Sequence, residues 1–219
     1  MSFRYLFPPK TFKYPDLFNK LSNPRYDPWE MPGVFYSMVN KKKAIMFIDG
    51  NNWYHNLKSI FDKPRIINFK SLAKIISEKF NLEIIEIMYY NSTPDIELGE
   101  ENYYKHMKFL ADLKRKGINV NTRKLKKIRT NGKIIRLEKG VDVLISADMV
   151  NKILLEKKAE TAVLITGDSD FVPVMQLIKK EGKEVLTASV MKGYARELLK
   201  GDFRFWILKK RDLEKCVGV

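Results

Sequence analysis

Cysteine is almost missing from this chain of 219 residues: Cys216 stands alone, so no internal disulfide can form. Histidine is nearly as scarce, with only His55 and His106, which excludes a structural zinc site of the usual Cys/His kind. No apolar run approaches the roughly 20 residues that span a bilayer. The opening stretch, residues 1–10, carries aromatics and proline without the apolar core of a secretory signal. These absences set the expectation of a soluble, cytoplasmic protein with no membrane partner. The sequence also holds no G-x-x-x-x-G-K-S/T, G-x-G-x-x-G or G-x-S-x-G pattern, which leaves P-loop, dinucleotide and serine-hydrolase readings without support.

What the chain has in excess is positive charge: 41 Lys and Arg against 26 Asp and Glu, a net +15. A hydrophobic share of 45% shows that this is a folding sequence rather than a basic tail. A folded polycation points to a polyanionic partner, nucleic acid first. The charge is concentrated. Between Lys105 and Lys139 there are 13 Lys and Arg against Asp112 and Glu138 alone, a net +11. Candidate phosphate contacts there are Arg123, Lys124, Lys126, Lys127, Arg129, Lys133, Arg136 and Lys139, with Lys192 and Arg196 joining from a later strand end. The competing reading is a solvated helix tail followed by an edge hairpin protected by lysines.

Three regions follow from patterning. Residues 1–42 form an aromatic, Pro-rich extension holding ten of the 26 aromatics and six of the nine prolines, which forbid a long helix. Such an arm is expected to pack on the main domain, a protein partner or a second subunit. Residues 43–210 form the main domain, and 211–219 a short C-terminal tail. In the main domain, apolar runs at 44–48, 84–90, 118–121, 162–166, 185–188 and 203–208 read as strands. Helical periodicity fills 69–80 (capped by Asn68), 97–116, 141–157, 171–180 and 194–199. Thr130-Asn131-Gly132 between 125–128 and 133–137 reads as a hairpin turn. Strands alternating with helices predict an α/β fold with a mostly parallel central sheet, whose ligands bind outside the carboxyl ends of the strands.

Those ends carry acids. Asp49 follows Ile45-Met46-Phe47-Ile48, Asp168 and Asp170 follow Val163-Leu164-Ile165-Thr166, and Asp142 starts the helix after Gly140. Taken singly, each also reads as a turn or helix-cap residue. Gathered at one sheet edge, they would repel one another unless a hard divalent cation, Mg²⁺ or Mn²⁺, compensates them. Such an ion activates water next to a phosphodiester. Asp148 lies about 240° around the helix from Asp142 at ~100° per residue, off that face. His55 and His106 read as surface or packed helical residues, and Cys216 has no evident base.

Phe47-Ile48-Asp49-Gly50-Asn51-Asn52, Lys139-Gly140-Val141-Asp142-Val143 and Thr166-Gly167-Asp168-Ser169-Asp170-Phe171 occur in that order. Together they resemble the NYN domain, specifically its LabA-like branch, within the PIN-like nuclease superfamily. The resemblance implies a three-layer α/β/α sandwich, Mg²⁺ or Mn²⁺ as cofactor, and hydrolysis of RNA, usually endonucleolytic and on single strands. It assigns Asp49, Asp142 and Asp168 to the metal, Asp170 to a second ion or to water, and Asn52 to a ligand or phosphate. It also implies a homodimer by analogy. The alternatives are a non-catalytic RNA-binding or regulatory module and a flap-type DNA nuclease.

Overall fold

The computed structural model of the chain describes residues 41–61, 66–130, 133–137 and 139–217. Residues 1–40 of the aromatic extension and Asn131-Gly132 of the hairpin turn lie outside the described residues. From Lys42 onward, strand β1 (Lys42–Asp49) runs directly into helix α1 (Gly50–Lys58). Helix α2 (Phe69–Phe80), strand β2 (Leu82–Thr93), helix α3 (Glu100–Arg115) and strand β3 (Asn119–Lys124) follow. Strands β4 (Lys126–Thr130) and β5 (Lys133–Leu137) make a separate antiparallel pair. Then come α4 (Val141–Met149), β6 (Thr161–Ile165), α5 (Val172–Lys180) and β7 (Glu184–Val190). The last elements are α6 (Glu197–Lys200), β8 (Arg204–Leu208) and α7 (Lys210–Glu214).

Six strands form one parallel sheet in the order β3-β2-β1-β6-β7-β8. Residues 44–48 of β1 are wholly buried because both faces are covered. Their side chains alternate with the two-residue period of a strand. Ala44, Met46 and Ile48 join the core under α1, α2 and α3, while Ile45 and Phe47 join the core under α4 and α5. Each fully buried Ile or Phe contributes about 1.5–3 kcal/mol. The result is the three-layer α/β/α architecture.

Several local expectations need correction. The helix expected over 97–116 is divided: a 3₁₀ turn at Ile96–Leu98 ends at Gly99 (φ 138°), and α3 begins afresh at Glu100. The helix expected over 141–157 is α-helical only to Met149 and continues as a π-helical turn over Val150–Leu155. Leu125 is outside β4, which starts at Lys126. Residues 194–196 are not helical, and α6 begins only at Glu197. Helix α1 has no strong apolar stripe in sequence, yet Trp53 and Leu57 anchor it to the core. The segment after β8 is packed: Leu213 and Cys216 are buried, and Val217 bridges to Ile67. Burial pushes the Cys216 thiol up to about 11, which makes it a poor nucleophile.

Leaving β1, the chain builds outward to β2 and β3 on one side, and later to β7 and β8 beyond β6 on the other. The change of direction lies between β1 and β6. Open α/β sheets form their crevice at that point, outside the strand ends.

Candidate active site

Asp49 ends β1 and caps α1, its Oδ1 accepting the backbone N–H of Asn52 at 3.1 Å. Its Oδ2 accepts the Thr166 hydroxyl at 3.0 Å, from the residue that follows β6. The side chain is buried, with 4% of its surface exposed. Burial raises its pKa to about 6; the hydrogen bonds from Asn52 and Thr166 oppose that rise, and the charges of Asp142 and Asp168 add to it. A carboxyl in this position gains little from its two donors and is crowded by like charge.

The Thr166 hydroxyl also accepts the Asp168 N–H at 3.2 Å, so one side chain fixes both carboxylate segments. Asp168 in turn caps the 3₁₀ turn Ser169–Phe171 by accepting the Asp170 N–H at 2.9 Å. Asp142 enters from the layer that α4 shares with α5, in the first turn of α4, whose N-cap Gly140 takes the left-handed conformation (φ 85°). Partial burial raises the Asp142 pKa, and the charges of Asp168 and Asp170 raise it further. The crevice between β1 and β6 therefore brings Asp49, Asp142, Asp168 and Asp170 into one electrostatic field. Among the described residues no ion pair neutralises any of them.

Among the described residues, no three His, Cys, Asp or Glu side chains are gathered as a ready-made metal cage. The donor chemistry nevertheless fits a hard divalent ion: oxygen-only ligands, a buried carboxyl, and uncompensated negative charge. Mg²⁺ in particular is held by one or two carboxylates together with waters and substrate phosphates, so it needs no closed cage.

Asn52 uses its side-chain oxygen twice, accepting Gly167 N–H at 2.8 Å and Asn56 Nδ2 at 2.6 Å. Asn56 Nδ2 also donates to the Gly193 carbonyl at 3.0 Å, and Ala195 N–H donates to the Gly167 carbonyl at 2.8 Å. These bonds staple α1, the loop after β6 and the loop after β7 together. The packing is so close that a Cβ on Gly167 would lie 1.4 Å from the Gly193 carbonyl oxygen. Asn52 is thus a positioning residue for the Asp168 loop. Lys192 and Arg196 are exposed on the loop after β7 that this staple holds against the site.

The remaining cations divide. Arg123 and Lys124 are exposed at the end of β3, paired in register with Ser92 and Thr93 of β2. Lys139 is exposed just before Gly140. Lys127 is bound to Asp95 and Glu97 at 2.9 Å each, so its charge is already engaged. Lys126, Arg129, Lys133 and Arg136 hold positions in β4 and β5, and their side chains lie outside the described residues. Asp148 turns to β2: it accepts the Tyr90 hydroxyl at 2.8 Å, and together with burial it drives that phenol's pKa upward. Thr166, Asn56 and Tyr90 are the polar residues that sequence reasoning missed. Thr166 carried a signal, since it stands immediately before Gly167-Asp168 at a strand end. Asn56 did not, because its partner Gly193 is 137 residues away.

The family model of the NYN domain matches residues 43–208, most of the chain, a span within which the four aspartates fall. The curated "Low amplitude and bright protein LabA" of Synechococcus elongatus is 26% identical over 175 residues, covering 74% of this chain and 82% of that protein. A crystal structure of a Vibrio parahaemolyticus protein of unknown function superposes with a TM-score of 0.61 at 19% identity, covering 80% of this chain and 97% of the other. At that identity the likeness concerns the fold alone.

Proposed function

The chain belongs to the NYN domain family, whose members are generally nucleases, and on that premise we propose that it is a divalent-metal-dependent endoribonuclease acting on single-stranded RNA. The observation that carries this reading is the buried Asp49 carboxyl, held at the β1/β6 crevice within the fields of Asp142 and Asp168. A protein gains nothing in stability by crowding like charges there, and perturbed carboxyls of this kind cluster at functional sites.

In this reading Asp49 and Asp168 hold the metal, Asp142 completes its charge balance, and Asp170 orients water from the exposed side. A bound Mg²⁺ or Mn²⁺ would supply an activated water and stabilise the oxygen that leaves the phosphorus. Thr166 keeps the Asp49 carboxylate oriented, and Asn52 fixes the loop that presents Asp168. Arg123, Lys124, Lys139, Lys192 and Arg196 take phosphates on either side, which confers affinity but little sequence choice.

One observation favours a second reading, a non-catalytic RNA-binding module: Asp49 and Asp168 both serve as caps for the segments that follow them. Labelled single-stranded RNA and DNA, incubated with the wild type and Asp168→Asn in Mg²⁺, Mn²⁺ or EDTA, separate the two. The nuclease reading expects RNA cleavage that EDTA and Asp168→Asn abolish. Salt-sensitive RNA binding without cleavage supports the module instead, and DNA cleavage at equal rate overturns the RNA preference.

A further inference from the structure

A second concavity opens on the β2 side of the acidic crevice. It encloses about 650 Å³, a volume suited to a small organic ligand. Its walls include Trp53 of α1, Tyr89 and Asn91 at the exit of β2, and Asn102, His106 and Phe109 of α3. It shares the catalytic edge of the sheet. Asn51, also in its wall, follows Asp49 by two residues, and Asn91 lies one position beyond the Asp49–Tyr90 register pair.

The lining is aromatic with polar points. Tyr89 packs between Phe69, at 5.5 Å between ring centroids, and Phe109, edge-on at 5.7 Å. The His106 imidazole lies 6.5 Å from the Phe109 ring. His106 Nε2 is buried and has no hydrogen-bond partner among the described residues. A buried polar atom left unpaired is costly unless something arrives to pair with it. Burial also holds the imidazole pKa below its usual value, so the ring is neutral and can offer either a donor or a lone pair. Cationic charge is scarce: Lys105, in the wall, is paired with Glu101 at 2.6 Å. Such a site suits a planar, uncharged, hydrogen-bonding ring better than a phosphate. The exposed cations Arg123 and Lys124 stand outside it, beside Ser92 and Thr93 at the β2 exit.

We propose that this cleft receives one unstacked nucleobase of the RNA strand, gripped by the aromatic walls and hydrogen-bonded on its edge by His106, while the neighbouring phosphate lies at Asp49. The proposal deepens the nuclease reading and rests on it for the strand's path, but base binding has its own readout. Full-length protein labelled with ¹⁵N is titrated with nucleoside 5′-monophosphates and, separately, with ribose 5-phosphate. With two histidines in the chain, the His106 imidazole signals are readily assigned. Saturable shifts of His106 with the nucleotides, absent with ribose 5-phosphate, are expected. His106→Phe, which keeps a ring and removes the nitrogens, should weaken nucleotide binding about 5-fold. Equal shifts from ribose 5-phosphate, or an unresponsive His106, overturn the proposal.

In hydrolysis, an abasic nucleotide stepped along the RNA should lower the rate about 5-fold or more at one position relative to the cut. Uniform rates along such a series overturn the base pocket and leave the nuclease intact. Nucleotide-dependent His106 shifts with no hydrolysis of any RNA refute the nuclease and support the pocket.

Discussion

The Thr166 hydroxyl donates to the buried Asp49 carboxylate at 3.0 Å, joining the ends of the two central strands of the sheet. The same oxygen accepts the Asp168 N–H, so a single hydroxyl sets the relation between two carboxylates 119 residues apart in sequence. Thr166→Val preserves shape and removes both bonds. It should cost about 1–3 kcal/mol in urea denaturation, because a buried acceptor and a half-buried N–H lose their partner. It should also move the acidic limb of the pH–rate profile upward, since Asp49 loses a donor that favours its charged form. An unchanged acidic limb contradicts that role.

Asp49 gives a pH dependence of definite sign. Its pKa is about 6 in the folded chain against the ordinary 3.8 of an unfolded one, so between those values the folded state binds more protons. Its contribution to stability is therefore full below about pH 4 and is lost as pH rises through about 6. The shift corresponds to about 3 kcal/mol at 1.36 kcal/mol per unit. Asp49→Asn should accordingly be more stable than wild type at pH 7.5 in EDTA, by up to that amount, with the difference vanishing near pH 4. Denaturation curves at the two pH values check this, and a variant less stable than wild type at pH 7.5 contradicts it.

Divalent ions should stabilise the protein through the same carboxylates. At 100 times its dissociation constant a ligand adds about 2.7 kcal/mol, which for a chain of this size raises Tm by about 5 °C or more. Mn²⁺ should produce that rise in the wild type and little of it in Asp49→Asn or Asp168→Asn. Equal shifts in all three place the ion elsewhere.

The basic residues should not be equivalent. Arg123→Gln and Lys192→Gln should each weaken RNA binding and lower the slope of log K against log salt by about 1. Lys127→Gln should leave the slope unchanged, because Asp95 and Glu97 already hold that ammonium. Binding isotherms from low to high salt distinguish the three variants.

Much of this arrangement was legible before any coordinates. The run Ala44-Ile45-Met46-Phe47-Ile48 announces a strand covered on both faces, and Asn68 caps α2 with bonds to Lys70 and Ser71 N–H as its residue type suggests. The acidic strand ends were visible because strand, turn and carboxylate are adjacent in sequence. Helix α1 was not, since it starts without a loop after β1, and Gly50 is needed there because any Cβ would strike the Tyr89 ring at 2.3 Å. Nor was the Asn52–Asn56–Gly193 staple, which depends on contacts across more than a hundred residues. Lys127 looked like its basic neighbours, and only the fold shows that Asp95 and Glu97 neutralise it.

The central claim, that the aspartates at the β1/β6 crevice cut RNA internally with a divalent ion, is tested most directly with a circular single-stranded RNA. Having no ends, it can be opened only by an endonuclease. Incubated in Mg²⁺ or Mn²⁺, the wild type is expected to linearise it, while EDTA or Asp49→Asn leaves the circle closed. A circle that the wild type binds but never opens, or opening that persists in Asp49→Asn, would contradict the account.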